Sequence, residues 1–129
     1  NIMAGSGATY PVASPEAVLQ ASPDVVVKQA DSAGAVLGYY ATDNTQAEAK
    51  RQELVSRSGW SDLPAVQNGQ VYLVSAEICG GFGKPACILY LAKILYPDKF
   101  TDLDPAAFHR AYCEYQGVPY KGIHIHPAP

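Results

Sequence analysis

The sequence has no long apolar run and no cluster of positive charge, and each absence excludes a class of protein. Its 129 residues carry 9 Lys and Arg against 12 Asp and Glu, for a formal net charge of −3. Without a run of basic residues, recognition of nucleic acid through phosphate neutralisation is not expected. The longest apolar stretch, from Ala86 to Tyr96, is interrupted by Lys93 and is well short of the ~20 residues that a membrane-spanning helix needs.

Cysteine is also scarce, since the chain holds only Cys79, Cys87 and Cys113. Three cysteines are too few for a disulfide-based fold, and one stays unpaired if the other two join. Cys79 and Cys87 flank one loop, and two interpretations of them remain open. They form a disulfide in an oxidising compartment, or all three cysteines are independent reduced thiols.

What is present is an ordinary globular composition, with 48% hydrophobic and 16% charged residues. The length fits one domain that spans residues 1–129 and buries its own core. Val25 to Lys28 and Val71 to Val74 are short β-branched runs, which predict parallel strands covered on both faces. Asn68-Gly69 predicts a tight turn before the second strand.

Helix-start signals divide the first half of the chain. Ser14 as N-cap, followed by Pro15 and an acidic first turn, predicts a short helix that ends before Pro23. Thr45 and Glu48 have the spacing of a capping box, which predicts a helix that runs to about residue 56. Residues 59–66 are interpreted as a connector that holds a core tryptophan, and residues 1–13 as a loop with a short strand near 9–12.

Two further helices are predicted in the second half. Pro85 begins the most apolar one, and Asp104 caps a last helix that Gly117 ends. The apolar residues that recur at helical spacing in the first of these are Ile88, Leu89, Ala92, Leu95 and Tyr96.

The segments after the two strands, residues 29–44 and 75–84, are predicted to be long loops that line a ligand site. In open α/β sheets ligands bind at such strand-to-helix loops. Tyr39, Tyr40 and Phe82 offer the rigid contact area that a planar ligand needs, although ordinary loop packing is the alternative for each of them. The predicted ligand-binding residues are Gln29, Tyr39, Tyr40, Glu77, Cys79, Gly80, Gly81, Phe82 and Lys84.

The spacing of the glycines in the second loop matches neither the dinucleotide nor the P-loop fingerprint, and Lys84 is followed by Pro85. A loop that approaches a ligand closely, or a plain connector, fits them better. Cys79 beside a helix N-terminus could instead be a nucleophile, which gives a thiol-dependent enzyme as the competing function. That reaction needs a nearby base, and nothing in the sequence brings His109 to this loop.

The C-terminal segment holds His124 and His126, two residues apart. On a strand both side chains would point to one face and could bind Zn²⁺. No second ligand pair of recognisable spacing accompanies them, so a solvated tail is the preferred interpretation and no metal or cofactor is predicted.

Several phrases, in order, resemble the C-terminal lobe of the substrate-binding proteins that serve ABC importers of iron-siderophores, haem and cobalamin. They are Asn1-Ile2, the helix start at residues 11–19, the strand entry at 23–27, the Trp60 to Val74 block, and Leu91 to Phe100. The last phrase and the tail are most similar to archaeal, methanogen-type members.

The resemblance implies an α/β lobe with a small, mainly parallel sheet flanked by helices on both faces. It implies a non-catalytic protein that captures a metal chelate (a ferric siderophore, haem or a corrinoid) and delivers it to a membrane permease. Glu16 is similar to the glutamate that forms a salt bridge with an arginine of the permease. The implied location is extracytoplasmic, with a membrane anchor in the full-length protein.

This sequence departs from the family pattern in several ways, and these departures lead to further predictions. The N-terminal lobe and the first strand of this lobe are absent from the sequence, so we expect an exposed sheet edge and a homodimer through it. No signal peptide begins at Asn1, so a leader would lie upstream. The glycine loop lacks the arginine that many siderophore binders use. An interaction domain without a ligand is the third functional class.

Overall fold

A computed structural model describes residues 14–30 and 36–129, which form a small sheet with helices on both faces. The three strands are β1 (Val26–Ala30), β2 (Val71–Ser75) and β3 (Ile125–His126). The α-helices are α1 (Pro15–Ala21), α2 (Thr45–Val55), α3 (Pro64–Gln67), α4 (Ala76–Cys79), α5 (Lys84–Leu95) and α6 (Pro105–Tyr115). Short 3₁₀ turns occupy Trp60–Asp62, Gly81–Gly83 and Pro97–Lys99.

The sheet has the order β1-β2-β3, and β2 is its central strand. β1 and β2 are parallel, whereas β3 pairs with β2 in the antiparallel direction. Successive β2 side chains point to opposite faces of the sheet. Val71 and Leu73 pack into a core with α2 and α3, while Tyr72 and Val74 pack into a second core with α4 and α5. The expected sheet with helices on both faces is thereby confirmed.

The prediction of strands covered on both faces is right for β2 and wrong for β1. All five residues of β2 are buried, but Lys28 and Gln29 of β1 are exposed. β1 has a neighbour on one side only among the described strands, and Lys28 and Gln29 face solvent, whereas Ala30 at its end is buried. The strand also includes Gln29 and Ala30, which the sequence predicts to belong to the loop.

The helix starts agree with the sequence, although one cap forms differently. The Ser14 hydroxyl accepts from the amide of Ala17, as predicted for an N-cap. At α2 the capping box does not form, because the Glu48 carboxylate accepts from His126 Nε2 at 2.7 Å instead. The first turn of α2 is held by Asp43, whose carboxylate accepts from the Thr45 amide at 2.8 Å.

The long loop predicted after β2 is partly helical, and the apolar face predicted for α5 is wrong. α4 follows β2 directly, and the turn Gly81–Gly83 leads into α5. The buried side of α5 consists of Ala86, Cys87, Tyr90 and Ile94. Ile88 is 63% exposed, because the stripe that faces the sheet is offset from the more apolar one. No helix within the described ranges is long and apolar enough to cross a membrane.

The C-terminal segment is packed onto the domain, so the solvated tail predicted from the sequence is wrong. It supplies β3 at the edge of the sheet, and His124 is buried. Gly38 and Ile123 exchange two backbone hydrogen bonds. A side chain at Gly122 would overlap the Gly38 carbonyl oxygen, and Gly122 has φ +85°. Glycine is required there because two backbones touch.

Candidate functional site

A cavity of about 350 Å³ lies at the carboxyl ends of the two parallel strands. The loop that follows β1 forms one wall, the α4 segment that follows β2 forms a second, and α6 with the C-terminal segment closes the third. This is the edge of the sheet where the strand order predicts a ligand site. The cavity is lined by Tyr39, Glu77, Ile78, Phe82, Gly83, His109, Cys113, Val118, Pro119, Lys121 and His124.

Glu77 anchors the loop after β1 to the helix after β2. Its carboxylate accepts from the Tyr39 amide at 2.6 Å. Gly38 has φ +110°, and a side chain there would lie within 2.7 Å of the same carboxylate. Glu77 therefore binds the backbone turn that presents Tyr39, and about a third of its side chain stays exposed at the cavity.

His124 is held between the end of β2 and its own segment. Its Nε2 donates to the Lys121 carbonyl at 2.9 Å, so its Nδ1 accepts from the Ser75 hydroxyl at 3.1 Å. Burial lowers the pKa of His124, although the Lys121 carbonyl and the Glu77 charge oppose this. The Ser75 side chain is fully buried, so this serine and histidine hold two segments together and cannot attack a substrate.

His109 of α6 lies beside His124, with their ring centroids 4.7 Å apart. Burial and then the neighbouring His124 lower the pKa of His109 to about 4. Its Nδ1 is buried without a hydrogen-bond partner among the described residues. Tyr120 contacts the same ring edge-to-face at 5.1 Å. Near neutral pH, both histidines are uncharged and the floor of the cavity is aromatic.

Aromatic side chains and one cation border the opening of the cavity. Tyr39 and Tyr40 contact edge-to-face at 5.2 Å, and the Lys121 ammonium lies 4.9 Å from the Tyr39 ring. Phe82 is 57% exposed and stacks on Tyr112 at 6.4 Å. Such surfaces offer a planar ligand large contact areas with few rotamers to immobilise.

The structure brings part of the predicted ligand set together. Tyr39, Glu77 and Phe82 line the cavity, and Tyr40 adjoins it. The remaining predicted contacts are placed elsewhere or are described only by their backbone. Gln29 lies on the exposed part of β1 and Lys84 begins α5. Cys79 ends α4, Gly80 follows it, and Gly81 begins the turn Gly81–Gly83. Their contact with a ligand stays a prediction.

The thiol-enzyme alternative is not supported by the surroundings of Cys79. Its sulfur lies 3.5 Å from the Cys87 sulfur. This hydrogen bond, together with burial, raises the pKa of Cys79, so its thiol stays protonated at neutral pH. A nucleophilic cysteine also needs a base hydrogen-bonded to its thiol. His109 lines the same cavity as Phe82 and Gly83, but among the described residues the Cys79 thiol is hydrogen-bonded to Cys87 and not to His109.

The two C-terminal histidines have separate partners, which argues against the shared zinc site. His124 bonds Ser75 and Lys121, whereas His126 bonds Glu48 of α2. Within residues 14–30 and 36–129, no group of three or more His, Cys, Asp or Glu residues is arranged to hold a metal ion.

Sequence reasoning missed one wall of the cavity, which α6 and the C-terminal segment provide. His109, Cys113, Lys121 and His124 all lie here. The available signal was Gly117 and the Gly122-Ile-His124 run, where positive φ at both glycines reverses the chain toward the sheet. A glycine before a β-branched residue suggests a turn into a strand.

The chain resembles a solved periplasmic binding protein over almost its whole length. The crystal structure of the TroA-like periplasmic binding protein FepB from Veillonella parvula superposes with a TM-score of 0.83 and 30% sequence identity. The match covers 96% of this chain but 37% of that one, so the chain spans little more than a third of its neighbour. A scan of protein-family models and a search of curated proteins gave no match. TroA-like binding proteins are non-enzymatic substrate carriers.

Proposed function

We propose that the chain, which is similar over 96% of its length to a TroA-like periplasmic binding protein, is the C-terminal lobe of a two-lobed substrate-binding protein of that kind. The lobe captures a metal chelate in an extracytoplasmic compartment and delivers it to an ABC permease. The neighbour is a periplasmic protein and is longer than this chain by more than half of its own length. A second lobe facing the cavity fits that difference in length.

The observation that carries this proposal is the position of the cavity. It lies at the carboxyl ends of β1 and β2, and its volume of about 350 Å³ falls within the ~300–1,000 Å³ of small-molecule sites. Exposed Tyr40 and Phe82 stand at its edge. A second lobe that closes over these rings would bury them together with the ligand.

The chemistry of the lining favours a planar or aromatic-rich chelate such as a ferric siderophore, haem or a corrinoid. Tyr39, Tyr40 and Phe82 provide stacking surfaces, and Lys121 provides one cation for an acidic substituent. Glu77 and His124 are engaged in hydrogen bonds within the protein. Because Glu77 and His124 already have partners in the protein, the cavity suits a ligand whose metal ion is fully coordinated by the chelator.

Binding to the full-length protein tests the proposal with three probes: hemin, cyanocobalamin and a ferric tris-catecholate. Calorimetry should detect one of them. Tyr39→Ala and Phe82→Ala should each weaken that binding by ~1 kcal/mol or more, or about fivefold in Kd. Tyr115→Ala is the matched control, because Tyr115 is an exposed aromatic at the end of α6 and does not line the cavity. If all three variants bind the probe with the same affinity, the cavity is not the ligand site.

We assign permease docking to Glu16. The residue is exposed in the first turn of α1, where the capped helix terminus favours a negative charge. An exposed carboxylate on the capped first turn of a helix can form a salt bridge with a permease arginine and so orient the binding protein on the permease. The archaeal, methanogen-type origin stays a prediction from the sequence alone.

The outer edge of β1 supports self-association of this chain. Within the described sheet β1 pairs only with β2, and an apolar groove of about 520 Å³ lies beside it. An unpaired edge next to apolar surface favours strand addition by a second copy. Light scattering over a concentration series should show a dimer, whereas a monomer that persists at millimolar concentration would count against it. The groove is lined by Val18, Pro23, Val25, Val26, Val27, Trp60, Leu91 and Leu95.

A further inference from the structure

Two cysteines face each other across the loop that carries Phe82. Cys79 is the last residue of α4, and Cys87 lies in the first turn of α5. Their sulfurs are 3.5 Å apart, with Cys87 buried and Cys79 partly exposed. A disulfide requires ~2.05 Å, so small side-chain rotations would bring the sulfurs to bonding distance. Cys113 lies on α6 and has no such neighbour among the described cysteines.

We propose that Cys79 and Cys87 are a redox-active pair that closes into a disulfide and fixes the glycine-rich loop beside the cavity. The location of the chain rests on the proposed function, since extracytoplasmic compartments are oxidising. The pairing itself rests on the geometry of the two sulfurs. The loop that the bond closes contains Phe82, which borders the opening of the cavity.

The chemistry is thiol–disulfide exchange with a small-molecule or protein disulfide. Cys79 is the accessible sulfur. The pair loses one proton near neutral pH, and Cys79 becomes the thiolate in the minor form in which the remaining proton has passed to Cys87 across the sulfur–sulfur hydrogen bond. This thiolate attacks the external disulfide and forms a mixed disulfide, and one external thiolate leaves and is protonated. The Cys87 sulfur, deprotonated in turn, then attacks Cys79 and expels the second external thiol. The protein loses two protons and two electrons, and the external disulfide is reduced to two thiols. In the reduced pair the hydrogen bond from Cys79 lowers the pKa of Cys87 to about 7, so the pair loses its first proton near neutral pH.

The segment between Cys79 and Cys87 is already compact, so disulfide formation requires little movement of the folded backbone. A side chain at Gly83 would lie 2.7 Å from the Ile78 Cα and 2.8 Å from the Glu77 carbonyl oxygen. The turn Gly81–Gly83 therefore packs directly on α4, with the two cysteines on either side. A bond here removes freedom chiefly from the unfolded chain, and the melting temperature should rise by roughly 5–10 °C on oxidation.

Alkylation counting on the full-length protein tests the pair. Because trypsin does not cleave between Lys84 and Pro85, it leaves Cys79 and Cys87 together in the peptide 58–93. Cys113 falls in the separate peptide 111–121. After equilibration with oxidised glutathione, denaturation and iodoacetamide, peptide 58–93 should carry no alkyl group and be two hydrogens lighter. After dithiothreitol it should carry two, while peptide 111–121 carries one in both samples.

Cys113→Ser is the matched control and should keep both the closed pair and the rise in melting temperature. Cys87→Ser should instead retain a glutathione adduct on Cys79, because the sulfur that displaces it is gone. Two alkyl groups on peptide 58–93 without reductant, or a glutathione adduct on Cys79 of the unaltered protein, would overturn the proposal. Thiol counting is independent of ligand binding, so a failed chelate titration does not alter this result.

Discussion

The buried histidine pair makes the stability of the domain depend on pH in a calculable way. His109 is 3% exposed and is surrounded by the rings of His124, Tyr90 and Tyr120. In the unfolded chain its pKa returns to ~6.5, whereas in the folded chain it is about 4. The folded state therefore binds fewer protons than the unfolded state between these two values. Stability must fall as the pH drops through this window.

The size of the loss follows from the two pKa values. Above ~pH 7.5 the histidine is neutral in both states and contributes almost no pH dependence. At about pH 5 the unfolded chain is largely protonated at this site and the folded chain is not. The linkage relation then gives a loss of about 2 kcal/mol from His109. This is a large fraction of the ~5–15 kcal/mol that holds a typical domain folded.

Urea unfolding at the two pH values measures this effect. The wild-type protein should lose ~2 kcal/mol more than His109→Gln or His109→Leu between about pH 7.5 and pH 5. The two replacements will differ in absolute stability, but neither titrates, so their pH dependences should agree. If the wild type and both variants lose the same free energy, His109 is protonated in the folded protein and its assignment as a neutral core residue is wrong.

Two further predictions concern Gly122, with Gly69 as its comparison, and Glu16. Gly122→Ala should lower the free energy of unfolding by ~2 kcal/mol or more, because it combines φ +85° with steric overlap between the new side chain and the Gly38 carbonyl oxygen. Gly69→Ala, at φ +70° with open space around it, should cost only ~1 kcal/mol, and equal losses in urea unfolding would contradict the backbone contact. Glu16→Arg should leave chelate affinity and stability intact while strongly reducing uptake, and a permease arginine-to-glutamate change should restore part of it. Normal uptake with lost chelate binding would show that Glu16 belongs to the pocket.

The parts of the fold set by local chemistry could be predicted from the sequence. The caps at Ser14 and Asp104 form as expected, since a side-chain oxygen two or three residues from an unpaired amide is enough. β2 also lies where its β-branched run predicts, because a strand buried on both faces has a near-continuous apolar sequence. Tyr39 and Phe82 line one cavity because each lies in a segment that follows a parallel strand, and the carboxyl ends of parallel strands lie at the same edge of the sheet.

The parts that depend on distant contacts could not be predicted. Glu48 has capping-box spacing, but it turns to His126, which is 78 residues away. The buried side of α5 follows the sheet beneath it and not the helix's own apolar stripe. The contribution of His109 and Lys121 to the cavity depends on how the C-terminal segment reaches the loop after β1, and periodicity carries no information about that path.

The Gly38–Ile123 pairing ties the cavity to the whole domain. A molecule that touches Tyr39, Glu77 and Lys121 bridges three segments that are far apart in the sequence. No one of these segments can open alone without breaking the cavity. A bound ligand stabilises only the state in which all three segments are together. It should therefore slow the exchange of those amide hydrogens that exchange only when the whole domain unfolds, in β2 and α6 as much as in the loops.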